Sequence, residues 1–580
     1  MFKKLLVANR GEIALRVMRA CRDLGIASVA VYSDLDAAAI HTRYADEAYN
    51  VGPGPASESY LKIPAILEAA KRSGAEAVHP GYGFLAENAA FAQAVLDAGL
   101  VWVGPAPGII DAMGDKTAAR KAAAEAEVAT VPGTKEPVTD PAEVRRFVEE
   151  YKIPIAIKAS AGGGGKGFRV VKDEAEIEDA LAGAAREAQA YFSSPDVYLE
   201  KYLEMPKHIE IQVLGTASGE VLSFPERDCS LQRRHQKLVE ESPSPVLDEE
   251  VRQAIMAAAA KVCTSVGYKN AGTCEFLLDK DRKTFYFLEM NTRLQVEHPV
   301  TELVTGIDLV KAQLLVAAGE DVGFTQDDIK LQGHAIECRV NAENPAKNFQ
   351  PSPGFIGEYR EPSGPGVRVD SGAERQMTIP QAYDPMIAKL ITFGADREEA
   401  RTRMLRALGE YEIEGIKTTI PFHSLMLADE RFASGNYHTG TVEQEMDLSV
   451  LTDKPWVKPK VGEPDVAERL FDVEVGGKRV TVKVREQLET AVARKKPKPP
   501  KKMGALGGGS GDTLTAPMQG TIVKVLVKVG DEVAAGDQIC VLEAMKMENS
   551  IQAHVAGKVE DLKVSPGQSV DSGAVLAIIR

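Results

Sequence analysis

The chain opens on a short apolar run, residues 3–8, then the polar Asn9-Arg10-Gly11-Glu12, then apolar positions at helical spacing over residues 13–24. A second apolar run covers residues 28–32. Strand, helix and strand in close succession predict a parallel α/β sheet. The style continues through Ala77-Val78-His79-Pro80-Gly81-Tyr82-Gly83 and residues 101–104. Asp115 is placed to cap a helix over residues 116–127. Residues 151–171 predict strand, glycine loop and strand, and residues 208–214 (HIEIQVL) alternate as a strand does. Residues 273–279 and 284–290 predict an antiparallel pair joined at Lys280-Asp281-Arg282-Lys283. From about residue 333 to 446, strands mix with one clear helix near residues 397–411.

The pattern then changes. Residues 470–484 predict a two-stranded ribbon turning at Gly476-Gly477. The run RKKPKPPKKMGALGGGSGD follows, in which Pro and Lys extend the chain while Gly and Ser loosen it. Its 18 residues from 495 to 512 reach roughly 20–25 Å as a random coil, enough for a tethered unit to visit more than one site. Beyond it, residues 520–542 and 557–579 repeat one pattern at an offset of 37. Gly520 matches Gly557, Gly530 matches Gly567, Gly536 matches Gly573, and Leu542 matches Ile579. Repeated strand–turn units predict a small quasi-symmetric β domain. Lys546, in Ala544-Met545-Lys546-Met547, falls at the junction of the halves, where a tight turn pushes it into solvent.

Composition narrows the reading. Several domains are expected of 580 residues. A formal charge of −15 argues against nucleic acid as a partner. No apolar run approaches the roughly 18–20 residues needed to span a membrane. MFKKLLVANRGE becomes charged too soon for a signal peptide. The six cysteines include no CxxC pair, which suits a reducing cytoplasm and argues against a cysteine zinc site.

Four segments carry chemistry. Gly162-Gly163-Gly164-Gly165, entered from Lys158, leaves backbone N–H groups open to phosphate. Lys166 is followed by Gly rather than Ser or Thr, so the run is not a P-loop. A turn near residue 282 sets Glu275 opposite Glu289, with Asn291 on the same side. Facing carboxylates destabilise a sheet unless neutralised, and a hard divalent cation such as Mg²⁺ does that. If residues 291–299 are extended, Arg293, Gln295 and Glu297 share one side. An arginine and an amide there hold a small oxyanion, and the carboxylate removes its proton if its pKa is tuned toward neutrality. Finally, five of the eleven residues from Arg227 to Lys237 are cationic or titrate near neutrality, which suggests an anion site. His235 there suits a base, a ligand, a phosphate contact or a structural role, and Cys229 reads as packing.

The AMKM core and its flanks resemble the biotinyl domain of biotin-dependent carboxylases, which implies biotin on Lys546. Lipoyl domains share the fold but usually surround their lysine differently. The glycine run resembles the nucleotide-covering lid of the ATP-grasp fold. Together these segments resemble biotin carboxylase over essentially residues 1–446. The fold implied is multidomain α/β. A parallel α/β domain (1–114) precedes an ATP-grasp domain (115–332) with its lid near 131–203, and a mixed α+β C-terminal domain (333–446) follows. A small partner-docking segment (447–494), the linker (495–512) and an all-β biotinyl domain (513–580) complete it.

The resemblance carries over residue by residue. It places Lys116, Lys158, His208 and Gly162, Gly163, Gly164 and Gly165 at ATP-binding positions, and Glu200, Lys201 and Leu203 at the adenine. Gln232 and His235 are counted with them. Glu275, Glu289 and Asn291 correspond to the Mg²⁺ (or Mn²⁺) site. Lys237, Arg293, Gln295, Val296 and Glu297 correspond to the bicarbonate site, with Glu297 as base. Arg339 matches the arginine facing the biotin ureido oxygen.

The implied reaction is ATP- and bicarbonate-dependent carboxylation of the chain's own biotin. The 66 residues 447–512 are too few for a transferase domain that binds an acyl-CoA. A separate carboxyltransferase β-subunit is therefore expected, acting on acetyl-CoA or propionyl-CoA, as in the α-subunit of bacterial acyl-CoA carboxylases. A biotin protein ligase is the other expected partner, and a homo-oligomer within a larger hetero-oligomer the expected assembly. Two other classes stand beside this: a different ATP-grasp ligase, against which AMKM argues, and a catalytically degenerate carrier, against which Glu275, Glu289, Glu297 and Arg339 argue.

Overall fold

The computed structural model describes residues 1–114, 116–134, 136–159, 168–192, 194–452, 466–475, 478–487, 512–544, 547–571 and 573–580. The chain divides into two units, Met1–Asp453 and Lys454–Arg580.

The first unit begins with a five-stranded parallel sheet in the order Glu47–Gly52, Ala27–Ser33, Lys4–Val7, Ala77–His79, Val101–Trp102. Helix Gly11–Asp23 buries Ile13, Ala14, Val17, Met18 and Cys21, the apolar positions at helical spacing, against this sheet. Asn9 donates to the carbonyls of Pro80 (2.7 Å) and Tyr82 (2.8 Å), clasping the loop after the fourth strand.

The second layer is one continuous antiparallel sheet. It runs Phe285–Asn291, Asn270–Leu278, Lys207–Gly215, Arg227–Arg233, Gln236–Ser242, His334–Asn341, Met386–Gly394, Val367–Ser371, with Val221–Ser223 paired to Lys207–Gly215. Strands on both sides of position 332, where the sequence suggests a change of domain, therefore belong to the same sheet. Helix Arg397–Glu410 covers one face of the later strands, and helix His298–Thr305 packs on the other through Val300, Val304, Ala335 and Ile391. A separate three-stranded sheet joins Phe168–Val171, Ile155–Ala159 and Val197–Lys201. Helices Pro141–Tyr151 and Ile177–Phe192 share its core.

In the second unit, Val466–Val475 and Lys478–Gln487 form the expected ribbon, longer at both ends than the sequence suggests. Gly476 and Gly477 lie outside the described residues. Beyond it, the 37-residue repeat becomes two four-stranded sheets. One runs Thr513–Thr515, Val575–Ile579, Gly557–Leu562, Glu532–Val533, and the other Met547–Gln552, Gln538–Ala544, Gly520–Val525, Ser569–Val570. Adding 37 to a strand of the first half lands on its counterpart in the opposite sheet, so the repeat is a quasi-twofold sandwich. The paired glycines have a steric cause. A Cβ on Gly520 would lie 2.4 Å from the Glu543 carbonyl oxygen, and one on Gly557 would lie 2.5 Å from that of Arg580.

Gly520→Ala and Gly557→Ala are each expected to cost the sandwich about 1–3 kcal/mol, because backbone must shift to admit the methyl group. Hydrogen exchange of residues 512–580 in the full chain reads this. Thr521→Ala, exposed on the same strand, should leave protection unchanged, and equal protection in all three variants contradicts the steric account.

Candidate active site

The site is built on the long antiparallel sheet. Strand Lys207–Gly215 is buried along its whole length, yet alternates His208, Glu210 and Gln212 with apolar residues. Glu275 pairs with Glu210 on one side and with Glu289 on the other, and Arg227 pairs with Glu210 from the next strand. Three carboxylates thus stand in a row across three adjacent strands. The expected facing of Glu275 and Glu289 is present, by way of a bulge. Pairs near the turn, such as Phe276 with Phe287, are one residue out of step with that register, and an irregularity between Glu275 and Phe276 restores it.

Lys237 neutralises two members of this row, Glu210 and Glu275, together with Glu297. Its Nζ donates to Glu210 Oε2 (2.5 Å), Glu275 Oε1 (2.9 Å) and Glu297 Oε1 (2.7 Å). Arg227 Nε holds the other oxygen of Glu210 at 2.5 Å, and Arg339 Nη2 holds the other oxygen of Glu297 at 2.8 Å. His208 Nε2 stands 3.2 Å from Glu275 Oε2. Burial opposes ionisation of Glu297, but Lys237, Arg339 and Arg227 outweigh it and hold the carboxyl well below the usual carboxylate range. Burial likewise opposes the charge on Glu275, and Lys237 and His208 overcome it. Burial disfavours the Lys237 ammonium, and its three carboxylates push its pKa well above the ordinary lysine value.

Residues 292–297 are not extended: they form a bend and turn leading into helix His298–Thr305, with Glu297 at the N-cap. Arg293 and Gln295 still meet, Nη1 to Oε1 at 2.9 Å. Glu297 instead turns toward Lys237 and Arg339. The expected base therefore has its pKa lowered, not tuned toward neutrality. Arg293 also donates to Asn291 Oδ1 (3.0 Å) and to Glu87 Oε2 (2.8 Å), while Gln295 and Asn291 donate to Glu275 Oε1 (3.2 and 2.9 Å). The Val296 carbonyl accepts from Lys389 at 2.9 Å.

The cationic run 227–237 does not form a single anion site. Arg227 is buried against Glu210, Arg233 donates to Asn348, and Lys237 joins the carboxylates. Arg234 and His235, both at positive φ, are exposed in the turn between strands, and Gln232 is buried on the strand before it. Cys229 is packed, with burial pushing its thiol well above the usual value, and its Sγ lies 4.0 Å from Glu297 Oε1.

Toward the three-stranded sheet, Lys158 and Arg120 both pair with Glu200, which is buried. Lys201 lies 3.4 Å from Asp279, and Leu203 is buried. Lys116 starts helix Lys116–Glu125. Gly162 to Gly165, Asp115, Met545 and Lys546 lie outside the described residues; Ala544 and Met547, which flank the last two, are paired with each other.

Residues 1–110 match the family described as biotin carboxylase, N-terminal domain, and residues 115–324 that described as carbamoyl-phosphate synthase L chain, ATP binding domain. Residues 337–444 match the biotin carboxylase C-terminal domain, and residues 512–579 the family described as biotin-requiring enzyme. The biotin-dependent acyl-coenzyme A carboxylase alpha3 subunit of Mycobacterium leprae is 48% identical over 593 residues, covering 100% of this chain and 98% of that one. The chain belongs to the biotin-dependent acyl-CoA carboxylase α-subunit family. It is an ATP-dependent biotin carboxylase joined to its biotin carrier, and its cofactors are biotin, ATP and Mg²⁺. The mitochondrial propionyl-CoA carboxylase alpha chain of Homo sapiens is 40% identical over 663 residues, covering 99% of this chain and 91% of that one. A biotin carboxylase structure from Campylobacter jejuni superposes with a TM-score of 0.71 at 44% identity, covering 76% of this chain and 98% of its own. The biotin carboxylase domain of Hydrogenobacter thermophilus 2-oxoglutarate carboxylase, solved with MgADP, ADP and bicarbonate, gives 0.72 at 46%, covering 78% and 100%. Among the described residues, no helix is long and apolar enough to cross a membrane.

The residues that sequence reasoning passed over are Glu210, Glu87, Arg120 and Glu240. Glu210 had a signal, since it shares strand alternation with His208. The other three reach the site from distant segments, and no local pattern marks them.

The charge balance sets an acid limit. Glu275 and Glu297 sit below their ordinary 4.5, so their stabilisation is complete above that value and is lost as pH falls through their lowered folded values. Lys237, raised above 10.5, contributes below that value and loses its contribution only as pH rises through its folded value. Lys237→Met is expected to cost about 3–5 kcal/mol at neutral pH by leaving buried carboxylates uncompensated. It should also move the acid-unfolding midpoint to higher pH. Denaturant unfolding across pH checks both; an unchanged midpoint contradicts the balance.

Proposed function

We propose that the chain uses ATP and bicarbonate to carboxylate biotin on its own Lys546, and passes the carboxyl group to a separate carboxyltransferase β-subunit that acts on acetyl-CoA or propionyl-CoA. The observation that carries this reading is the buried, ionised Glu297, shared by Lys237 and Arg339 beside the joined Arg293 and Gln295.

In this reading Lys116, Lys158, Glu200, Lys201, Leu203, His208, Gln232, His235 and the Gly162–Gly165 run bind the nucleotide. Glu275, Glu289 and Asn291 would hold Mg²⁺; carboxylate and amide oxygens brought together on adjacent strands suit a hard cation. When bound, the ion supplies positive charge to the phosphate oxygens. Arg293, Gln295, Lys237 and the Val296 backbone orient bicarbonate.

Glu297 is ionised in the free protein, and two cations suppress its basicity. An anion that takes a share of Lys237 loosens that hold, so Glu297 becomes an effective base when bicarbonate is in place. Glu297 takes the bicarbonate proton, the freed oxygen bonds to the γ-phosphorus, and the bond to ADP breaks, giving carboxyphosphate. Lys237 offsets the developing charge. Carboxyphosphate divides into CO₂ and phosphate, and a closed glycine lid excludes the water that would destroy it. Biotin, amide-linked to Lys546, would supply the ureido nitrogen that bonds to the CO₂ carbon, its N–H proton passing to the released phosphate. Arg339 would donate to the ureido oxygen.

The ligase partner and the boundaries suggested by sequence belong to the same proposal: parallel domain to 114, ATP-grasp domain to 332, C-terminal domain to 446, docking segment to 494, linker to 512. Cytoplasmic residence fits the reduced, buried cysteines.

Glu297→Gln is expected to lower bicarbonate-dependent ATP cleavage by about 10²–10⁴-fold, the usual contribution of a positioned base. Lys546→Ala should lose the biotin-sized mass added by a biotin ligase. Unchanged ATP cleavage in the first variant, or an unchanged mass in the second, overturns the corresponding role. Reconstitution with a β-subunit, comparing acetyl-CoA and propionyl-CoA, decides the acceptor.

A further inference from the structure

Arg339 is divided between two carboxylates. Its Nη2 meets Glu297 at 2.8 Å, while its Nε donates to Glu240 Oε1 at 2.6 Å. Glu240 lies on strand Gln236–Ser242, directly across from Glu337 on strand His334–Asn341. Both are fully buried, and neither Glu337 oxygen nor Glu240 Oε2 has a hydrogen-bond partner. Two fully buried carboxylates side by side, with one arginine between them and Glu297, cannot all carry charge cheaply.

We propose that Glu240 is a positioning residue for biotin carboxylation: its carboxylate holds the Arg339 guanidinium off full pairing with Glu297, and Glu337 stays neutral beside it. This rests on the reading of Arg339 as the arginine that faces biotin.

The surroundings support this division of charge. Lys237 and Glu297 lie toward Glu240 from the active-site side. Lys389, on the next strand, is already shared with the Val296 carbonyl, Glu12 and Asp370. Helix His298–Thr305 brings His298, whose Nδ1 is 2.8 Å from the Gln295 carbonyl oxygen, and Glu302, which is paired with Arg16 and Arg368. Helix Ile420–Ala428 brings His423, which donates to the Arg339 carbonyl at 2.7 Å. Helix Arg397–Glu410 lies on the opposite face, where Arg397 takes Glu241. No cation among these pairs with Glu337, and burial pushes its carboxyl well above the usual range. Glu240 has Arg339; burial still raises its carboxyl to about 7, with the Glu297 charge adding to the rise. Its hold on Arg339 therefore strengthens as pH rises through neutrality.

The test uses the full biotinylated chain. It reads carboxylation of the Lys546 biotin from labelled bicarbonate, and bicarbonate-dependent ADP release, from pH 6 to 9. Glu240→Gln keeps the shape but lets Arg339 close on Glu297. It should lower biotin carboxylation on the order of 10- to 100-fold, the scale of a small misplacement, and remove the rise of activity through neutral pH. Glu337→Gln, a mimic of the neutral carboxyl, should keep the wild-type rate and pH profile. If Glu240→Gln keeps the wild-type profile while Arg339→Met loses carboxylation, the positioning role is wrong. If Glu337→Gln loses as much as Glu240→Gln, its neutrality is wrong. If Arg339→Met itself carboxylates normally, the underlying reading of Arg339 fails instead.

Discussion

One ammonium group, Lys237 Nζ, lies within hydrogen-bonding distance of three buried carboxylates that come from three segments of the chain. Without it, the buried Glu210, Glu275 and Glu297 would repel, and burial would favour the neutral forms of Glu275 and Glu297. With it, and with Arg227 and Arg339 on the outer oxygens, negative charge is kept where a protein usually avoids it. Much of the sheet follows from this requirement. The bulge beside Glu275 keeps that glutamate level with Glu210 and Glu289, and the hairpin at Arg234 and His235 returns Lys237 toward Glu210 and Glu275.

On the proposed reading such a cluster is also an anion site. Its cations are shared rather than saturated by single partners, so an incoming oxyanion competes for them instead of displacing a dedicated pair. In the proposed mechanism the same competition lets Glu297, with its lowered pKa, act as a base, because bicarbonate would take a share of the cations that hold it. The sandwich domain needs none of this. Its paired glycines let two strand halves approach their neighbours closely.

Sequence revealed much of this where the signal was local or repeated. The facing of Glu275 and Glu289 came from counting across one short turn, although the count succeeded only because a bulge offset a one-residue error. The 37-residue repeat forecast the sandwich because each half supplies equivalent strands to opposite sheets. Reading failed where sequence neighbours part in space. The run from Arg227 to Lys237 looks like one basic patch, yet strand alternation and a hairpin send its cations to separate partners. Glu297 looked aligned with Arg293 because an extended segment was assumed; the helix start at His298 turns it to Lys237 instead. Glu87, Arg120 and Glu240 reach the site through contacts far apart in sequence, which no local periodicity encodes.

The central claim is that the Lys237 cluster holds bicarbonate as the nucleophile toward ATP. Its most direct test is to supply bicarbonate labelled with ¹⁸O to the full chain with ATP, Mg²⁺ and its biotin, and to weigh the phosphate released. The account predicts that each phosphate carries one oxygen from bicarbonate. Phosphate whose new oxygen comes from water alone would contradict it.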